Sequence, residues 1–260
     1  MDKFRLWRPA ASFLPESFPI RTENEDENMD TETKNTTKTS PSSHRPISFH
    51  PGFIPNANGS CYIEQGNTKV IATVHGPFAS TMTKKSKYES GSEVMTTCII
   101  ETFYKNASFS KNSRTEPGPQ TKEELICSKL LHEAIYPVIQ VHKYPKMKIN
   151  VSIVVIEDDG CALAAGVNAA SLALANAGLL MYDFVAAVGY KLDIEDSNDQ
   201  VCIDPSGEGL SDATCAYLPS IGQMSLFEVT KSIDDKKLDE ILELTQKFSQ
   251  EIYSKQVAAI

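Results

Sequence analysis

The order of hydrophobic patterns predicts an α+β domain built from two similar halves, each a group of strands followed by a helix. Three observations lead there. Period-two runs and period-3.6 runs alternate along the chain in that order twice. A strong hairpin turn, Gln65-Gly66-Asn67, lies inside the first group. The chain has 260 residues, 41% of them hydrophobic, enough to bury roughly 70–75% of its unfolded surface with no staple.

The first residues divide by composition. Residues 1–21 read as a docking arm, because Phe4, Trp7, Phe13 and Phe18 concentrate aromatics in a short segment. The same residues also fit a strand returning to its own core. Residues 22–46 read as a flexible acidic and Ser/Thr-rich tether: Glu23, Glu25, Asp26, Glu27, Asp30 and Glu32 precede a Ser/Thr run, and Met29 is the one large aliphatic. Such a stretch buries too little apolar surface to offset the entropy of ordering it. Residues 47–260 form the folded domain.

Within it, Ser60–Glu64 and Lys69–His75 predict the two strands of a hairpin. A polar loop over Thr81–Ser92 carries Lys84, Lys85 and Lys87, and Val94–Tyr104 predicts the next strand. A second loop, Asn106–Thr121, holds Arg114 and Pro-Gly-Pro at Pro117-Gly118-Pro119. Leu125, Leu130, Leu131 and Ile135 give Lys122–Ile139 a helical period. The second half opens with a β-branched strand over Ile149–Ile156 and a turn at Glu157-Asp158-Asp159-Gly160. Ala162–Ala177 predicts a small-residue helix that packs closely, since Ala and Gly let backbones approach. Strands follow over Phe184–Leu192, Val201–Ile203, Ala213–Leu218 and Met224–Val229, with a polar turn at Asp193–Asn198. Leu238, Ile241, Leu242, Thr245, Phe248 and Ile252 mark one face of a closing helix.

Charge and cysteine usage narrow the function classes. With 25 basic and 34 acidic residues the net charge is −9, so any nucleic-acid contact is expected to be local or shared with other chains. Cys61, Cys98, Cys127, Cys161, Cys202 and Cys215 show no C-x-x-C pairing, and five sit among apolar residues. Buried reduced thiols are therefore expected. No apolar run reaches the length of a membrane span, and Met1–Pro19 does not resemble a signal peptide, so a soluble, non-secreted chain is expected.

The common templates for nucleotide, metal and nucleophile chemistry fail: G-x-x-x-x-G-K-S/T, H-E-x-x-H and G-x-S-x-G do not occur. Histidines 44, 50, 75, 132 and 142 stand apart from one another. Acidic candidates for a metal or a proton shuttle are Glu157-Asp158-Asp159, Asp193–Asp199, Asp204, Glu208 and Asp212. Most such clusters are solvated turns, and these fall between predicted strands.

Two blocks carry a family resemblance. Gly52-Phe53-Ile54-Pro55-Asn56-Ala57-Asn58-Gly59-Ser60-Cys61-Tyr62-Ile63-Glu64-Gln65-Gly66-Asn67-Thr68-Lys69-Val70-Ile71-Ala72-Thr73-Val74-His75-Gly76-Pro77 resembles the first hairpin of the RNase PH family. Val167-Asn168-Ala169-Ala170-Ser171-Leu172-Ala173-Leu174-Ala175-Asn176-Ala177-Gly178, continuing to Asp183-Phe184-Val185-Ala186-Ala187-Val188, resembles its small-residue helix and following strand. The resemblance extends over about Ile47–Ile252. It implies the RNase PH-like fold, of the ribosomal protein S5 domain 2-like type, and a hexameric ring around an RNA channel as in the eukaryotic RNA exosome.

Active members are phosphorolytic 3′→5′ exoribonucleases. They need cations to grip inorganic phosphate and acidic groups for a metal or proton. Three departures set this chain apart. A Gly-Thr/Ser-Arg unit precedes the small-residue helix in active members, and Cys161 and Ala162 stand where Thr/Ser and Arg belong. A methyl cannot do the work of a bidentate guanidinium. Of the paired aspartates spaced six residues apart, the second matches Asp212, and Ser206 stands at the first, in a shortened loop. Glu208 is available there at the wrong spacing. Lys122–Ile139 has Lys122 and Lys129 but no arginine, where active members have an arginine-rich helix.

The resemblance therefore implies a non-catalytic ring subunit with no cofactor and no metal. Its expected partners are other RNase PH-like subunits, S1/KH-type cap subunits, an associated hydrolytic exoribonuclease, and RNA in the shared channel. Lys84, Lys85 and Lys87, with Arg114 as a weaker candidate, are the residues expected to meet phosphates there. Nuclear, nucleolar and cytoplasmic residence goes with that role, as do rRNA processing and RNA turnover. Ile203-Asp204-Pro205 is similar to one non-catalytic subunit type, and Pro219–Leu226 to the type nearest the archaeal catalytic subunit. An active phosphorolytic exoribonuclease and a small-molecule enzyme of a related fold stay as alternatives.

Overall fold

A computed structural model describes residues 44–79, 98–192, 201–207, 211–231, 233 and 235–260. The chain divides into two units, Met1–Lys38 and Thr39–Ile260, and the described residues all belong to the second. The docking arm and Lys84, Lys85, Lys87 and Glu208 lie outside the described residues, as do the Asp193–Asn198 turn and most of the tether. Of the tether, residues 44–46 are described, and Arg45 is 7% exposed. The folded chain thus begins before Ile47.

The first sheet grows from the predicted hairpin. β2 (Gly59–Gln65) and β3 (Thr68–Ala79) pair antiparallel across the Gly66-Asn67 turn, with Gln65 opposite Thr68. Gly66 has φ +58°, a conformation that glycine adopts without penalty. Alternation puts Cys61, Ile63, Val70, Ala72 and Val74 on the buried face. β1 (Ile47–Pro51), which periodicity did not single out, adds an edge with Phe49 opposite Ile63.

β5 (Met147–Glu157) pairs antiparallel with β3, and β4 (Ile99–Asn106) pairs parallel with β5. The order is β1-β2-β3-β5-β4. The Ile149–Ile156 strand, grouped by sequence with the second half, thus joins the first sheet. Its buried Ile149, Val151, Ile153 and Val155 continue the apolar face of β3.

The second sheet is antiparallel in the order β7-β6-β8-β9: β7 (Val201–Ile203), β6 (Ala186–Leu192), β8 (Ala213–Leu218) and β9 (Gln223–Val229). α2 (Ala162–Asn176) is buried along almost its whole length and packs on β2, β3 and β6. Its small side chains permit this. A Cβ added at Gly59 would lie 2.2 Å from the Ala173 carbonyl oxygen. The buried Asn168 amide donates to Ala187 O (2.9 Å) and accepts from Ala187 N–H (2.7 Å), and Ser171 Oγ accepts from Val185 N–H (2.9 Å). These bonds lock α2 to the entry of β6.

α1 (Lys122–Ile135) stops short of the predicted Ile139, because Pro137 has no N–H to continue it. α3 (Asp235–Ala259) covers the second sheet with Ile241, Thr245, Phe248 and Ile252. Leu242, expected on that face, is 38% exposed. Five of the six cysteines are buried and Cys202 is half-buried.

Candidate functional site

The region that the resemblance assigns to phosphate lies where β5 ends and α2 begins. The chain leaves β5 at Glu157 and turns through Asp158-Asp159-Gly160, with Asp158 Oδ1 accepting from Gly160 N–H at 3.2 Å. Cys161 then adopts the left-handed conformation, φ +54°, as the residue before the first turn of α2. Its thiol points inward. Cys161 is 1% exposed, and a Cβ added at Gly189 of β6 would meet its Sγ at 2.5 Å. Burial pushes the thiol far above the usual range, which keeps it protonated. Ala162 follows with 8% exposure.

Two clefts open beside this point. The smaller, about 20 Å³, has room for roughly one water. Its charged walls are Glu123, Glu124, Asp158 and Lys111, three carboxylates to one ammonium. The larger, about 400 Å³, lies under the β4–α1 loop and shares Asn106, Lys111, Glu123 and Glu124 with the smaller. Lys105 and Lys122 also line it, and the Lys105 ammonium donates to the Gly118 carbonyl.

Glu124 organises the boundary between the clefts. It is 5% exposed, and its carboxylate accepts from Asn106 N–H at 2.9 Å and Thr121 N–H at 2.7 Å. Thr121 Oγ1 accepts from Glu124 N–H in return, closing a capping box at the start of α1. Sequence reasoning passed over this residue. The pattern Thr-x-x-Glu before an apolar run was the available signal.

Asp212 and Asp204 do not converge on a shared ligand. Asp212 Oδ2 accepts from Leu192 N–H (2.9 Å) and Lys231 Nζ (3.1 Å), tying the ends of β6 and β9 to β8. Asp204, offered by sequence as a metal or proton site, is wholly buried and forms a bidentate pair with Arg45. Nε donates to Oδ2 at 2.9 Å and Nη2 to Oδ1 at 2.7 Å. Gln65 Nε2 and Arg45 N–H complete the set at 2.7 and 3.1 Å. Arg45 also donates to the Asp159 and Gly160 carbonyls at 3.0 and 3.2 Å.

Burial works against the charge on Asp204, but hydrogen bonding from Arg45 prevails, helped by the charges of His44 and Arg45 and by Gln65. Its pKa is held below the ordinary carboxylate value. That carboxylate is structural.

Among the described residues no group of three or more His, Cys, Asp or Glu comes together as a metal site. Arg114 is exposed in the β4–α1 loop and is not part of either cleft's lining.

Residues 43–179, more than half of the chain, match the 3′ exoribonuclease family, domain 1. The chain belongs to the RNase PH family. Relatives agree with the assignment over most of its length. The exosome complex component Rrp41 of Methanopyrus kandleri is 30% identical across 85% of this chain and 89% of its own. That of Thermoplasma volcanium is 33% identical across 79% and 82%.

The RNase PH fold appears again among solved structures. Rice (Oryza sativa) Rrp46 superposes with a TM-score of 0.70 at 20% identity, over 85% of this chain and 96% of that one. The Archaeoglobus fulgidus exosome with RNA bound to the active site gives 0.70 at 20% identity, over 85% and 91%.

Proposed function

We propose that this chain is a non-catalytic subunit of an exosome-type RNase PH ring, most similar to the mRNA-transport-regulator type. Its role is to shape the ring and its RNA channel for 3′→5′ RNA processing and degradation, including rRNA maturation and RNA turnover. One observation carries the reading: at the start of α2, where a phosphate grip is required, stand a buried inward thiol and a methyl, Cys161 and Ala162, beside a cleft with three carboxylates and one ammonium. A phosphate dianion there would meet like charges, whose juxtaposition costs several kcal/mol. Asp212 adds support, since its carboxylate is engaged by Leu192 and Lys231.

On this reading the partners are other RNase PH-like subunits, S1/KH-type caps and a separate hydrolytic exoribonuclease. The chain would reside in the nucleus, nucleolus and cytoplasm with them. Lys84, Lys85, Lys87 and Arg114 contact RNA phosphates without reading sequence.

Affinity purification through a tag at Ile260, itself 68% exposed, tests the assembly. Recovery of several different RNase PH-like and RNA-binding chains in equal amounts is expected, and recovery of a homo-oligomer alone contradicts it. Crosslinking of RNA to the recovered ring should fall in a Lys84/Lys85/Lys87→Ala variant. Unchanged crosslinking removes the lysine assignment and leaves the ring assignment standing.

A further inference from the structure

Aromatic and basic side chains gather in the stretch between α1 and β5. Residues 136–146 carry Tyr136, His142, Lys143, Tyr144 and Lys146, and from Ala134 to Ile156 there is no Asp or Glu, in a chain of net charge −9. The segment that follows α2 is strapped to this stretch. Val138 O accepts from Tyr182 N–H at 2.9 Å, Leu180 O from Gln140 N–H at 3.0 Å, and Tyr144 Oη from Leu180 N–H at 2.9 Å. Gly160–Tyr182 is likewise free of acidic residues.

The strapping makes a patch of rings and cations. Tyr136 is 43% and Tyr182 54% exposed, and the exposed Lys143 and Lys146 flank the half-buried Tyr144 in sequence. Tyr136 stacks on His132, with ring centroids 5.4 Å apart, which occupies one face of its ring. Two carboxylates border the patch. Glu133 is exposed one turn before Tyr136. Asp183 is buried, and its oxygens accept from Ser220 N–H, Ser220 Oγ and Phe184 N–H.

The backbone is set ahead of any ligand. Tyr136 and Tyr144 each precede a proline, Pro137 and Pro145, whose ring removes backbone freedom. Lys146 adopts φ +57°, a conformation that glycine takes freely and a residue with a side chain does not. A cation is therefore kept there at a backbone cost.

Single exposed apolar side chains are ordinary. Rings interleaved with ammonium groups, with no carboxylate between them, are the combination that takes single-stranded nucleic acid. The ammonium groups meet phosphates and the rings stack on unpaired bases. A duplex offers the phosphates but not the base faces.

We propose that this patch binds single-stranded RNA, with Tyr136 and Tyr182 stacking on bases and Lys143 and Lys146 meeting phosphates. The proposal rests on the reading of this chain as a subunit of an RNA-processing ring. It adds contacts separate in sequence from Lys84, Lys85, Lys87 and Arg114, and contacts that hold bases as well as phosphates.

The test uses the full chain and a fluorescein-labelled oligouridylate, followed by anisotropy over a range of potassium chloride concentrations. Three double variants are compared with wild type: Tyr136→Ala/Tyr182→Ala, Lys143→Ala/Lys146→Ala and, as a control, Lys191→Ala/Lys247→Ala. The control removes the same charge from exposed positions on β6 and α3. The tyrosine variant is expected to bind about tenfold or more weakly, with its salt dependence unchanged. The Lys143/Lys146 variant is expected to weaken binding and to flatten the slope of log affinity against log salt by about 1.4, two contacts at about 0.7 each. The control is expected to match wild type. Annealing the strand to its complement should make wild type and the tyrosine variant bind alike. Tyr136→Leu/Tyr182→Leu carries the same expectation and decides the matter if the alanine variant does not fold.

A wild-type chain that does not bind the strand, or a folded tyrosine variant that binds it as wild type does, would overturn the proposal. So would a control that weakens binding as much as Lys143→Ala/Lys146→Ala. Variants that bind RNA normally but no longer recover the other ring chains would make the patch a protein interface and overturn it too. None of these results touches ring membership, which is decided by the chains recovered with the wild-type protein.

Discussion

The Arg45 guanidinium and the Asp204 carboxylate meet in a bidentate pair at 2.9 and 2.7 Å, with Asp204 wholly buried and Arg45 7% exposed. The pair fastens the chain just ahead of β1 to the turn after β7, and Arg45 also holds the Asp159-Gly160 turn ahead of α2. A buried pair of this kind adds little over a well-packed apolar substitute. Removing one partner strands the other's charge.

Arg45→Ala and Asp204→Ala are each expected to lose about 3–5 kcal/mol of stability. The double variant should lose clearly less than the sum, because the two residues act as a unit. Urea denaturation of the four proteins checks this, and additive losses would contradict the pairing.

Acid should act through the same carboxylate. The folded-state pKa of Asp204 lies below its ordinary value of 3.8, so its stabilisation is complete above about pH 4 and is lost as pH falls through the folded-state value. Wild type should steepen its loss of stability below about pH 4, relative to Asp204→Asn, when urea midpoints are followed from about pH 6 downward. Parallel curves would assign the acid sensitivity to other groups.

Close packing of α2 on the first sheet makes a sharp prediction at Gly59. A methyl there would stand 2.2 Å from the Ala173 carbonyl oxygen and 2.5 Å from Ala177 N, both backbone atoms that cannot swing aside. Gly59→Ala should cost at least about 1–3 kcal/mol. A melting temperature equal to wild type would mean that α2 sits farther from β2 than described.

Thiol reactivity should follow burial. Burial pushes Cys61 up to about 12 and Cys127 and Cys215 up to about 11, while Cys202 is the half-buried member of the six. A maleimide applied to the native chain should label Cys202 first, with the other five reacting after denaturation. Peptide mapping that finds Cys161 labelled early would contradict its inward orientation.

Much of the fold was legible because its signals are local. The two-residue turn at Gly66-Asn67, the alternation through Val70–Val74 and the Ala-rich run after Cys161 each announce an element within a few residues. β1 was missed because Ile47–Pro51 is five residues long and ends on proline, too short for a period to stand out.

The grouping of β5 with the first sheet, and the Arg45–Asp204 clasp, are another matter. Asp204 lies 159 positions from Arg45, and neither residue's neighbours indicate a partner so distant. Residues 44–46 read as tether for that reason.

At the candidate site, Cys161 and Ala162 were singled out by the family resemblance alone. The opposing charge was not, since Glu123, Glu124 and Asp158 come together only when α1 and the turn after β5 are placed side by side. The bonds of Asp212 to Leu192 N–H and Lys231 were not legible either, because those partners are assembled from other strands.

The most direct test of the central claim is phosphate-dependent release of nucleoside diphosphates from single-stranded RNA. It should be measured on the chain alone and in its recovered ring, with wild type and Asp212→Asn compared. Asparagine retains one acceptor for Leu192 N–H, so the variant should still assemble. The account predicts no release by the chain alone and identical residual decay in the two rings. Phosphate-driven release that Asp212→Asn abolishes in an intact ring would contradict it and make this chain an exoribonuclease.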